Sequence, residues 1–171
     1  MRAPDDAELE ALWHDWHRHV LAYALRRADP ATAEDVVAET FVIAWRRMDD
    51  VPDPPLPWLL GVARRVLANL RRGERRRIAL LDRLRREPVA TAHAPPGEEG
   101  RVLAALASLR ERDREALLLH AWEGLDHAGA GTVMGCSPAA FAVRLHRARQ
   151  RFARALADLD RLGASAPEVA R

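Results

Sequence analysis

The chain has 171 residues, 49% of them apolar and 30% charged, with a formal charge of +2 and a single cysteine. This composition suits one ordinary domain or two small ones, and it excludes a disordered chain and an internal disulfide framework. No run of ~20 predominantly apolar residues, the length of a membrane span, occurs, and the acidic N-terminus lacks the apolar core of a signal peptide, so a cytoplasmic protein is expected.

Taken in chain order, every strongly patterned segment predicts helix. In 7–27, Leu9, Leu12, Trp13, Trp16, Val20 and Tyr23 recur at spacings of three and four, and Asp29-Pro30 ends the pattern. A second helix is expected from about Ala33, with Val37, Phe41, Ala44, Trp45 and Met48 on its apolar face. The spacing of Trp13, Trp16 and Trp45 assigns them to the core. Asp49–Pro57 holds four prolines in nine residues and reads as a loop. A third helix starts near Pro57, which suits a first helical turn, and buries Leu59, Val62, Ala63, Val66 and Leu70.

Residues 87–100 have no apolar period and read as a flexible linker rich in Pro, Ala, Gly and Glu. Beyond it, helices are expected over Val102–Leu109, Glu111–Trp122, Asp126–Met134 and Ser137–Leu159. The last carries Phe141, Leu145, Ala148, Phe152, Leu156 and Leu159 on one face. No segment alternates at period two for long enough to be a strand. The fold class is all-α, with two small helical domains, 1–86 and 101–171, on a tether of 87–100.

The small net charge hides a segregation along the chain. Residues 1–56 carry six arginines against twelve acids, and residues 57–86 carry ten arginines against Glu74 and Asp82. Residues 87–136 return to four arginines against eight acids, and residues 137–154 hold five arginines and no acid. Every basic residue is arginine. Two basic blocks between acidic ones point to two surfaces that face a polyanion.

Gly135-Cys136-Ser137-Pro138 is the strongest local signal. Glycine permits a positive φ, Ser137 suits an N-cap and Pro138 a first helical residue. A short helix, this turn and a longer helix make a helix-turn-helix. On the longer helix Arg144, Arg147, Arg151 and Arg154 form a stripe beside the core face, placed to enter or flank a major groove. On the third helix Arg64, Arg71 and Arg75 form one stripe, and Arg65, Arg72 and Arg76 repeat it one position on. Guanidinium groups so arrayed suit a phosphate backbone, which they can bind bidentately.

These residues also resemble a family. The run Ala33–Arg46 is similar to region 2.2 of bacterial sigma-70-type factors in their extracytoplasmic-function (ECF) form. Pro57–Arg65, continued through Asn69–Arg72, resembles regions 2.3 and 2.4. Leu106–Arg154 resembles region 4, with the turn at Gly135–Pro138 and Arg144–Arg149 matching its helix-turn-helix. The similarity covers about residues 9–77 and 101–156. It implies a non-enzymatic subunit that binds core RNA polymerase and directs it to promoter DNA, without catalytic residues, metal, cofactor or small-molecule substrate. It also implies polymerase docking by Glu34, Asp35 and Glu39. The −10 element would meet Asp53, Trp58, Arg64, Arg65, Asn69, Arg71, Arg72, Arg75 and Arg76. The −35 element would meet Ser137, Ala140, Arg144, Arg147 and Arg151. An anti-sigma factor is a further expected partner, since many members of the family are held by one.

The sequence departs from the family pattern in places. Ala38 stands where glutamine is usual, Arg65 where asparagine is common, Gly61 where a basic residue is common, and Arg110 where proline is frequent. Ala128-Gly129-Ala130-Gly131 occupies the place of an acidic-acidic-Ile-Ala pattern in the first helix of the helix-turn-helix. Two glycines predict a weak helix there, with Gly129→Glu, Ala130→Ile and Gly131→Ala expected to restore it where the core has room. That feature keeps a degenerate sigma paralogue as one alternative; a polymerase-independent helix-turn-helix regulator is another. His14, His17 and His19 lack the spacing and further ligands of a metal site. Cys136 reads as a small buried residue. Trp58 is the sole aromatic residue on or near the third helix, so opening DNA by stacking many bases on aromatic rings is excluded. Capture of one or two flipped bases at the 49–57 loop is expected instead.

Overall fold

The computed structural model describes residues 6–82 and 97–164, the side chains of Arg75, 77–82 and 162–164 excepted. Its elements are helices α1 (Asp6–Leu25), α2 (Pro30–Arg46), α3 (Leu56–Asp82), α4 (Glu98–Ser108), α5 (Glu111–Ala121), α6 (His127–Met134) and α7 (Pro138–Ala164), with one 3-10 turn at Met48–Asp50. Helices α1, α2 and α3 pack on one another, and α4 and α5 pack on α7. These are the cores of two compact units. The expected tether, 87–100, lies mostly outside the described residues; its last residues form the Gly97 turn and the start of α4, a few residues before the expected Val102.

Several boundaries follow from local chemistry. Asp29-Pro30 does not merely end α1. The Asp29 carboxylate accepts the Thr32 N–H at 3.0 Å and the Thr32 hydroxyl at 2.7 Å, and Pro30 occupies the first turn of α2. The Thr32 hydroxyl bond, then the Thr32 N–H bond, holds the Asp29 carboxyl below its ordinary range. A depressed folded pKa adds stability that is complete at neutral pH and is lost as pH falls through that depressed value.

In the first unit the core is Val20, Tyr23 and Ala24 of α1, Val36, Val37 and Phe41 of α2, and Leu59, Ala63 and Leu67 of α3. The tryptophans depart from expectation. Trp13 is 42% exposed and Trp45 39%, while Trp16 is half-buried. Trp13 packs edge-on against Phe41, with centroids 4.8 Å apart, and stacks on His17 at 5.1 Å. A large ring can thus keep helical spacing with the core and still show one face to solvent, because three helices are too few to cover every apolar flank. Leu70, also expected in the core, is exposed near the far end of the packed part of α3.

In the second unit Phe141, Leu145 and Ala148 of α7 are buried with Ala105, Ala116 and Leu119. Helix α6 forms despite its glycines. The Asp126 carboxylate caps it, accepting the Gly129 N–H at 2.7 Å. The structure also changes the expectation for restoring variants there. Gly129 is half-buried and has no positive φ, but Ala130 is fully buried and Gly131 is buried. Gly129→Glu is therefore expected to stabilise by about 1 kcal/mol, through helix propensity and a carboxylate at the helix N-terminus. Ala130→Ile is expected to destabilise by about 1–3 kcal/mol through overpacking. The two single variants' melting temperatures, moving in opposite directions, check this.

Candidate polymerase and promoter-DNA surfaces

Helix α2 turns its charged residues to two sides. At about 100° per residue, Asp35 and Glu39 lie about 40° apart and face away from the buried Ala33 and Ala44. Glu34 lies about 100° from Asp35, on the flank shared with Ala38 and Trp45. All three carboxylates are exposed. The expected acidic patch is thus Asp35 with Glu39, and Glu34 stands apart from it. On the Glu34 flank an apolar groove of about 470 Å³ opens between α1 and α2, lined by Leu9, Trp13, Ala38, Phe41, Val42 and Trp45, with Asp6 and Glu10 at its edge. The groove escaped the sequence reading because its walls are the tryptophans assigned to the core. Ala38, small where the family has glutamine, helps to keep it open.

The 49–57 loop leads into α3 past a fixed corner. Arg47 pairs with Asp50 at 2.8 Å, and its guanidinium stands 5.9 Å from the Trp58 ring centroid. Trp58 is half-buried at the start of α3, and Asp53 is exposed on the loop before it.

Along α3 the two arginine stripes have different surroundings. Arg64 and Arg71 lie about 80–100° from the buried Ala63, on the flank, and both are partly buried. Arg71 donates to the Arg27 carbonyl at 2.7 Å, closing the end of the α1 turn. Arg27 in turn lies over the Tyr23 ring, 3.6 Å from its centroid. Arg65, Arg72 and Arg76 point away from the core at about 180–220° from Ala63, and all are exposed with Asn69. Arg72 donates to the Asn69 amide oxygen, and Arg76 to the Arg72 carbonyl at 3.2 Å. The Arg75 side chain lies outside the described residues. The stripe that faces solvent is therefore Arg65, Arg72 and Arg76, and Arg71 is a strut between helices. Alanine at Arg65 or Arg72 is expected to reduce the salt dependence of promoter binding by about one counterion each. Alanine at Arg71 is expected to lower thermal stability instead and leave that slope unchanged. Titrations at several salt concentrations separate the two.

The turn before α7 forms as its residues dictate. Gly135 has φ +67°, the left-handed region that favours glycine, and its N–H donates to the Thr132 carbonyl at 3.2 Å. The Ser137 hydroxyl oxygen accepts the Ala140 N–H at 3.2 Å, capping α7, with Pro138 in its first turn. Cys136 is half-buried rather than buried. Phe141 meets the His127 ring of α6 with centroids 6.0 Å apart, and His127 lies 6.2 Å from His120 of α5. Ala140 and Arg147 are exposed, and Arg144 is half-buried, at the edge of the buried face. Arg151 is drawn elsewhere: it forms an ion pair with Asp113 of α5, a carboxylate only 8% exposed. The pair ties α7 to α5 and leaves Arg151 half-open to solvent. Sequence periodicity could not find this, because Asp113 sits 38 residues earlier, on a different helix.

Comparison with known proteins agrees with these features. The family described as "Sigma-70 region 2" matches residues 12–77, and "Sigma-70, region 4" matches residues 99–152. The ECF RNA polymerase sigma factor SigL of Mycobacterium tuberculosis is 32% identical over 155 residues, covering 85% of this chain and 88% of its own. The RNA polymerase sigma factor CnrH of Cupriavidus metallidurans is 34% identical over 161 residues, 84% of each chain. The match to "Probable RNA polymerase sigma factor RfaY" of Xanthomonas campestris pv. campestris, 32% identical, spans 35% of that longer protein. Among solved structures, the sigma factor RpoE of Bartonella quintana, in complex with the anti-sigma factor NepR, superposes with a TM-score of 0.65. It is 25% identical and covers 86% of this chain and 95% of that one. The arginine-faced helices, the capped helix-turn-helix and the acidic second helix thus belong to a member of the sigma-70 family of the ECF type, a non-enzymatic sigma factor that directs transcription initiation by RNA polymerase.

Proposed function

We propose that this sigma factor docks on core polymerase through α2, engages −10 DNA through α3 and the loop before it, and reads the −35 element with α7. The observation that carries this reading is the segregation of charge. The solvent faces of α3 and α7 offer Arg65, Arg72 and Arg76, and Arg147 and Arg154, whereas the outward face of α2 offers Asp35 and Glu39 beside an apolar groove. Guanidinium groups suit phosphate, and a carboxylate-edged apolar groove suits a protein helix with basic flanks. Residues 1–86 form the docking and −10 domain and residues 101–171 the −35 domain. Asp53, Trp58 and Asn69 meet −10 bases, and Ser137, Ala140 and Arg144 meet the −35 element.

The formed and capped α6 favours a working helix-turn-helix over a degenerate paralogue. An anti-sigma partner belongs to the same proposal, supported by the RpoE–NepR complex that the chain resembles. No helix among the described residues is long and apolar enough to cross a membrane, and the sigma factor works in the cytoplasm, where polymerase and DNA meet. Run-off transcription with purified core polymerase on a selected promoter tests the reading. A transcript that depends on the added chain supports it, and polymerase binding without initiation would favour the degenerate paralogue.

A further inference from the structure

The outward face of α7 carries a side chain that the arginine pattern concealed. Val143 lies about 160° from both Phe141 and Leu145, the two residues that anchor the helix, and it is 52% exposed. Its neighbours toward the helix start, Ala139 and Ala140, are exposed as well. Arg147 and Arg154 flank it at about 40° and 20°. From Ser137 to Arg154 there is no acid to repel a polyanion. The part of a recognition helix that meets base edges is its N-terminal part. Here that part has no side-chain hydrogen-bonding atom on its outer face between Pro138 and Val143. In the major groove the base feature read by apolar contact is the C5-methyl of thymine.

We propose that Val143 is a specificity-determining residue that reads a thymine methyl group in the −35 element, with Arg147 and Arg154 holding the flanking phosphates. The inference rests on the reading of α7 as the −35 helix. Burying one methyl against Val143 is worth about fourfold in affinity, from ~0.8 kcal/mol per buried CH₂.

The test uses the full chain bound to core polymerase. A library randomised across the −35 region is selected for holoenzyme binding. Each enriched thymine is then replaced singly by deoxyuridine, which removes the methyl and leaves base pairing intact. One replacement is expected to weaken binding about fourfold for the native chain, and to have no effect on the Val143→Ala variant. Val143 is exposed and alanine favours helix, so far-UV circular dichroism should be unchanged. A methyl effect of equal size in both proteins, or none in the native chain, would overturn the role of Val143 while leaving −35 reading intact. Absence of any enriched −35 sequence would remove that reading, and the inference with it.

Discussion

Exchanging Asp35 and Glu39 for arginine is expected to abolish association with core polymerase, a loss on the order of 10²-fold or more in affinity. Both carboxylates are exposed, so the reversal removes no packing from α2. An interface built for carboxylates would then meet two guanidinium groups, and like charges at short range cost several kcal/mol. Asp35 also lines a polar pocket with Arg71 and Glu74, so Glu39→Arg alone is the cleaner variant and is expected to act in the same direction. Val42→Asp places a charge in the apolar groove and is expected to weaken docking without touching the acidic face. Co-purification with core polymerase, read beside far-UV circular dichroism, checks all three. Full retention of binding by the double reversal would remove α2 as the docking surface.

The second large effect is on stability. Phe141→Ala is expected to cost ~3–5 kcal/mol, the range for deleting a buried aromatic ring. Phe141 is fully buried at the root of α7 and in ring contact with His127. It therefore joins the two helices of the helix-turn-helix. A small domain has roughly that much stability in total, so α7 should lose its fixed seat. Discrimination among −35 sequences should go with it. Denaturant unfolding of the variant gives the loss directly. A change below ~1 kcal/mol would mean that Leu145, Ala148 and the Arg151–Asp113 pair hold α7 without the ring.

Much of the fold was legible because helical periodicity is a local signal. The caps at Ser137 and the left-handed Gly135 follow from residue chemistry within four positions. The same locality left two readings incomplete. Asp29-Pro30 reads as a stop, but the side chain that Asp29 captures belongs to Thr32, so the pair also starts α2. The Ala128–Gly131 stretch reads as a weak helix from propensity alone, yet the Asp126 cap and the burial of Ala130 support it.

The candidate surfaces were legible only in outline. Charge segregation along the chain made α3 and α7 the candidates to face a polyanion, since residues 137–154 hold five arginines and no acid in any packing. Which arginines are available was a different matter. Arg71 and Arg151 have the same spacing as their neighbours, and periodicity alone treats them alike.

By itself the sequence determined the helices, their two groups, the basic blocks and the resemblance to ECF sigma factors, because each rests on patterns within a single helix or on the order of motifs. Only the tertiary structure decided that Arg71 braces α1, that Arg151 holds Asp113, and that Trp13 and Trp45 wall an open groove. Those outcomes depend on which flank of a helix a second helix covers. That is set by contacts between residues up to 44 positions apart, which no local pattern records.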